Sequence, residues 1–79
     1  MLNEDKLRQV MSAILRVDPA VLDEGSSMDT IETWDSMRHM QLVLALEDEF
    51  HVTIPDEDAA NITSYPLVRL VLAELLEKR

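Results

Sequence analysis

An all-α domain of three long helices and one short one is the fold that this sequence predicts, and three observations predict it. Hydrophobic residues make up 47% of the 79 positions and aromatics only 4%, which requires an aliphatic core of Leu, Ile, Val and Met. A single glycine, with no regularly spaced clusters of turn residues, disfavours an all-β chain. Apolar residues recur instead at i, i+3, i+4, i+7 and i+8, the spacing of an amphipathic helix. A chain of this length forms one domain, 1–79, and buries only about 60% of the surface that it exposes when unfolded, so its stability should be modest.

The first helix is predicted from about Asn3 to Val17. Leu7, Val10, Met11, Ile14 and Leu15 share one face. Asn3 suits the N-cap, Glu4 and Asp5 suit the positive helix end, and Asp18-Pro19 discourages continuation. A long connection follows, from Asp18 to Asp35. Its polar middle, DEGSSMDT, holds the only glycine, while Val21, Leu22, Met28, Ile31 and Trp34 are apolar enough to pin it to a core. So long a connection with little regular structure of its own is uncommon in a compact domain and is often functional.

The second helix is predicted to start at Asp35-Ser36 and to end near Phe50 or His51. With residues placed about 100° apart around the axis, Leu42, Val43, Leu46 and Phe50 fall on one side together with His39. Met37, Met40 and Leu44 form a second apolar stripe, flanked by Gln41, Glu47 and Asp48. One stripe is enough to hold a helix to its core. The second is explained either by burial between neighbouring helices or by use as an adaptable partner surface with an acidic rim, and the pattern alone leaves both open.

Pro55, Asp56, Glu57 and Asp58 begin one or two helical turns that end near Asn61. Acidic residues there suit the helix dipole, and the spacing and glycine of a calcium-binding loop are missing. Thr63 or Ser64 caps the last helix, with Pro66 tolerated in its first turn. Leu67, Leu70, Val71 and Leu75 make its predicted core face, and Lys78 and Arg79 suit its C-terminal end.

Charge and composition exclude several function classes. The net charge of −9 opposes binding to nucleic acid or to anionic lipid, so partners should be basic, although acidity also simply keeps a small protein soluble. The absence of cysteine rules out disulfides, thiolate zinc sites and thiol nucleophiles. Asn3, Glu4, Asp5 and Lys6 do not resemble a signal peptide, and no apolar run approaches a membrane span. A cytoplasmic monomer is expected. His39 lies three residues beyond Ser36 and His51 is the only other histidine, yet a small helical domain with one glycine offers little from which to build an oxyanion hole or a substrate pocket. No catalytic residue and no metal ligand is therefore assigned. His39 is expected to be a packed, hydrogen-bonded residue and His51 a solvated helix end.

Three segments carry a resemblance. DSM at Asp35 to Met37, LALEDEF from Leu44 to Phe50 and IPDEDA from Ile54 to Ala59 resemble, in order and spacing, the signature of acyl carrier proteins. The resemblance extends over nearly the whole chain. It implies a four-helix bundle of the acyl carrier protein type, with a long loop between the first two helices. It also implies that Ser36 bears 4'-phosphopantetheine, donated from coenzyme A by a phosphopantetheinyl transferase, with Asp35 as motif residue and helix cap. Cargo then rides as a thioester on the arm's thiol, and the chemistry belongs to the cofactor and to the enzymes visited. In such carriers the positions of Met37, Arg38, Met40, Gln41, Leu44, Glu47 and Asp48 meet loading ligases and acyl-processing enzymes that present basic docking patches. The resemblance thus favours the partner-surface reading of the second stripe.

The chain departs from the fatty-acid synthesis pattern at three places. Arg38 stands where an acidic residue is usual, Gln41 replaces a glutamate, and Trp34 replaces a small residue. A specialised standalone carrier is expected, holding either an acyl intermediate of fatty acid or polyketide type or an aminoacyl group loaded by an adenylating ligase. Bulky Trp34 limits room for a long chain. The competing reading is an acidic helical adaptor that carries no prosthetic group.

Overall fold

The computed structural model describes residues 2–78. Its helices are α1 (Glu4–Leu15), α2 (Ser36–Phe50), α3 (Asp56–Asn61) and α4 (Tyr65–Glu77), with a single 3-10 turn at Pro19–Val21 in the long connection. The helix starts follow the predicted chemistry. Asn3 accepts from the Lys6 amide, Asp35 from the Arg38 amide and Ser64 from the Leu67 amide, each satisfying an amide that has no intrahelical partner. α1 stops two residues short of the predicted Val17 because Arg16 turns into the left-handed region at φ 59°, where its amide bonds back to the Ser12 carbonyl. His51 ends α2 in the same way at φ 54°. The expectation for Arg79 lies outside the described residues.

The core is mostly aliphatic, as the composition requires, and all three aromatic residues, Trp34, Phe50 and Tyr65, are buried in it. Leu7, Met11 and Leu15 from α1, Leu42, Leu46 and Phe50 from α2, and Tyr65, Val68 and Leu72 from α4 are buried together. α3 has no buried residue of its own and is held by Ile54 before it and Ile62 after it, both buried. The predicted face of α4 needs correction. Leu67 and Leu70 are exposed, Val71 and Leu75 pack against the core from partly buried positions as expected, and the fully buried series is Tyr65, Val68 and Leu72. The phase shifts because Tyr65, at the first helical position, is drawn into the core by a polar network that the apolar pattern does not display.

That network joins α1, α4 and the connection. The Tyr65 hydroxyl donates to Glu4 Oε1 at 3.0 Å, and Arg69 Nη1 donates to the same oxygen at 3.2 Å. Arg69 also pairs with Glu24 in the connection. The guanidinium carbons of Arg8 and Arg69 each lie 5.4 Å from the Tyr65 ring centroid, within cation–π range. Arg8 Nε reaches the Leu22 carbonyl at 3.4 Å. The Tyr65 hydroxyl and the Arg69 guanidinium hold the Glu4 carboxyl below its ordinary value, while burial and the bond to Glu4 push the Tyr65 phenol up.

The connection is ordered by many short ties. Buried Ser26 donates to the Val21 carbonyl and accepts from the Asp23 amide. Residues Ser27 and Ser64 form an isolated antiparallel bridge, in which the Met28 amide bonds to the Thr63 carbonyl and the Tyr65 amide to the Ser26 carbonyl. Leu22, Ile31 and Trp34 are buried and Met28 packs partly against the core, whereas Val21, also expected to pin the segment, is exposed. Among the described residues no helix is long and apolar enough to cross a membrane.

The Glu4 network has a pH signature. A carboxyl held low by folding adds stability that is present above its unfolded value of 4.5 and lost as pH falls through the lower folded value. In denaturant titrations Glu4→Gln should unfold at lower denaturant than wild type near neutrality, and the two midpoints should converge as the pH drops below 4.5. A gap that stays constant down to the acid limit would show that the Glu4 charge contributes nothing.

Candidate functional site

The site is built around the start of α2. Asp35 has extended backbone, with φ −99° and ψ −178°, and its Oδ1 accepts from the Arg38 amide at 2.8 Å. The cap is therefore complete without the neighbouring serine. Ser36, the first helical residue, is exposed, and its hydroxyl makes no hydrogen bond among the described residues. The Asp35 carbonyl accepts from the His39 amide at 2.8 Å, so the Ser36 and Met37 amides lie at the positive helix end without intrahelical acceptors. An outward hydroxyl beside unpaired amides suits a covalently attached phosphate group.

The segment before Ser36 is fastened to the end of α1. The Thr33 hydroxyl donates to the Leu15 carbonyl, and Arg38 Nη1 reaches the Ile14 carbonyl at 3.4 Å. These two residues flank Ser36 and occupy carbonyls that the last turn of α1 leaves unpaired. α1 has no basic residue in its own last turn, and Arg38 supplies that charge from the next helix. Arg38 is half-buried, so the residue that departs most from the expected pattern has a structural tie of its own.

His39 is engaged on both ring nitrogens. Trp34 Nε1 can only donate, and it lies 3.1 Å from His39 Nδ1, so Nδ1 is the acceptor. Nε2 then carries the proton and donates to the Ala59 carbonyl at 2.7 Å. The two rings stack with centroids 6.1 Å apart. The imidazole is thus unavailable as a base for Ser36, and the packed, hydrogen-bonded role expected of His39 is the one observed. His51 is exposed at the far end of α2. Among the described residues no group of three or more His, Asp or Glu side chains is arranged to hold a metal ion.

The second apolar stripe of α2 faces outward. Met37, Met40 and Leu44 are 72%, 69% and 65% exposed, which overturns burial between helices as its explanation. Gln41 and Asp48 are exposed beside it. Glu47 is half-buried, and its Oε2 accepts from the Ile54 amide at 2.8 Å, so it also orders the turn into α3. Sequence reasoning did not anticipate the seam between α2 and α3, where Ala59 and Ala60 join Val43 and Ile54 beside the stripe. Its signal was the pair of small residues in IPDEDAA, the first of which, Ala59, meets His39 of α2 through its carbonyl.

A family model described as "Phosphopantetheine attachment site" matches residues 5–66, from the first turn of α1 through the whole connection, α2 and α3 to the start of α4. That family is defined by covalently attached 4'-phosphopantetheine, and its domains are non-catalytic carriers that meet modifying transferases and processing enzymes. The match covers well over half of the chain. The protein belongs to the phosphopantetheine-attachment family of carrier proteins.

Proposed function

We propose that Ser36 is the attachment residue and that the protein presents acyl or aminoacyl intermediates to partner enzymes across the outward face of α2. The observation that carries this reading is the division of labour at the helix start. Asp35 completes the cap, and the adjacent serine keeps an exposed hydroxyl with no partner. When bound, the arm supplies a terminal thiol that holds cargo as a thioester. The protein's own residues anchor and present. The amides of Ser36 and Met37 lie where the phosphodiester would sit, and Thr33 and Arg38 fix the attachment point to α1.

Met37, Met40 and Leu44 form the apolar centre of the docking face, with Gln41 and Asp48 at its rim. Flexible methionines adapt to several partners, while the net charge of −9 draws basic surfaces toward them. Glu47 and Arg38 take part from half-buried positions, each already bound within the fold. Arg38 lowers the negative potential beside Ser36, which supports a specialised carrier with its own ligase or acyl-processing partners. The non-carrier adaptor reading loses its basis with membership of the family.

Incubation with coenzyme A and a broad-specificity phosphopantetheinyl transferase should add one pantetheinyl mass to wild type and none to Ser36→Ala. Modification of the alanine variant, or none of wild type, sinks the assignment. Met40→Ala and Leu44→Ala should lower kcat/KM for that transferase by about tenfold together, as expected for anchors at an interface centre. Being exposed, both should leave unfolding within about 0.5 kcal/mol of wild type. A matching loss of helicity would assign the stripe to folding instead.

A further inference from the structure

Two pairs of residues, each pair five apart in sequence, bracket Ser36. Thr33 and Arg38 reach the carbonyls of Leu15 and Ile14, and so hold the start of α2 to the end of α1. Trp34 and His39 hold each other. The indole Nε1 donates to His39 Nδ1 at 3.1 Å, the two rings stack with 28° between their planes, and His39 Nε2 carries the line on to the Ala59 carbonyl in α3 at 2.7 Å. Trp34 is 2% exposed, so its N–H depends on that one acceptor.

Arg38 and His39 are consecutive residues and therefore leave α2 in directions about 100° apart. The first pair restrains the helix start toward α1 and leaves the other direction free; the second pair closes it. The Asp35 cap does neither, because its 2.8 Å bond to the Arg38 amide lies wholly within the helix start. At Asp35 the chain passes from extended to helical backbone, so a turn of the loop end about that point swings the Ser36 hydroxyl.

Loading of the arm makes that orientation matter. The Ser36 oxygen bonds to the pantetheine-bearing phosphorus of coenzyme A, the bond from that phosphorus to its bridging oxygen breaks, adenosine 3',5'-bisphosphate leaves with the electron pair, and the hydroxyl proton passes to a base of the transferase. His39 is not that base, since both of its nitrogens are engaged. What the carrier contributes is geometry, and in-line attack tolerates little misplacement of the nucleophile. We propose that Trp34 and His39 are positioning residues for pantetheinyl transfer, which hold Ser36 in line through the bond between the indole and Nδ1. The inference rests on Ser36 being the attachment residue.

Asparagine and glutamine divide the two roles of the imidazole. Asparagine keeps an acceptor near the place of Nδ1 and is too short for Ala59, whereas glutamine reaches toward Ala59 and offers no acceptor at the Nδ1 position. Wild type, His39→Asn, His39→Gln and Trp34→Phe are each incubated with coenzyme A and an excess of a broad-specificity phosphopantetheinyl transferase at several concentrations, and the gain of pantetheinyl mass is timed over a single turnover. His39→Gln and Trp34→Phe should lower the saturating rate about fivefold, the worth of one net hydrogen bond. The half-saturating concentration should not move, because the outward stripe of α2 is intact. His39→Asn should recover most of the rate that His39→Gln loses. Helicity is checked by circular dichroism, and either folded variant that lacks the bond suffices for the comparison. A wild-type saturating rate in His39→Gln or Trp34→Phe overturns the proposal, as does a change in half-saturation alone. Equal losses in His39→Asn and His39→Gln also overturn it, since they would mark His39 as a packing residue. If wild type gains no pantetheinyl mass, the attachment reading itself fails; if wild type is modified and the variants keep pace with it, the inference falls alone.

Discussion

Ser36 is placed largely through the connection at residues 16–35, and such a connection is expensive to order in a chain with so small a core. Fixing one backbone residue costs about 1–2 kcal/mol, so the connection must recover that cost along its length. It does so at three stations. Leu22 and Ser26 are held beside the Glu4, Tyr65 and Arg69 network, Ser27 pairs with the strand-like residue Ser64, and Thr33 with Trp34 seals the end. Arg69 reaches both α1 through Glu4 and the connection through Glu24, so the first station also ties the ends of the chain together. Weakening that station would loosen the approach to α2 without touching the site itself.

Much of this was legible in the residues. Asn3, Asp35 and Ser64 cap the helices that they were expected to cap, because capping depends on short-range chemistry that a side chain three residues from its target can satisfy alone. The core face of α2 was equally readable, since Leu42, Leu46 and Phe50 obey a single period. α4 was misread for a physical reason. Its period supports two phases, Leu67-Leu70 or Val68-Leu72, and the choice is made by Tyr65, whose hydroxyl finds Glu4 sixty-one residues earlier. The exposure of Met37, Met40 and Leu44 was open for the same reason, because it depends on where α3 lies and not on α2. The Trp34–His39–Ala59 line and the tie from Arg38 to Ile14 are also long-range, and no local pattern announces them.

The two faces of the molecule handle charge differently. Of seven basic residues, Lys6 bonds to the Glu49 carbonyl, Arg8 to the Leu22 carbonyl, Arg38 to the Ile14 carbonyl, and Arg69 to Glu4 and Glu24. These cations are turned inward on carbonyls, rings and carboxylates that the fold itself supplies. Sixteen acidic residues have far fewer cations to meet, so Asp35, Asp48, Asp56 and Glu57 stay exposed on or near the α2 and α3 side. The outward potential is thus more negative than the count of basic residues alone would indicate.

This arrangement makes sense of Arg38, whose position beside the serine looks at first like an intrusion into an acidic face. A guanidinium lying against the end of α1 stabilises that end through the helix dipole. Its charge is carried at the start of α2, on the residue two beyond Ser36. One side chain thereby fastens the start of α2 to α1 and trims the negative potential there. The acidic half of the outward face then lies toward the C-terminal part of α2, around Asp48 and the half-buried Glu47. On the carrier reading proposed above, the apolar stripe links that acidic end to Ser36, and its three exposed side chains run along the helix between the two instead of clustering at one end.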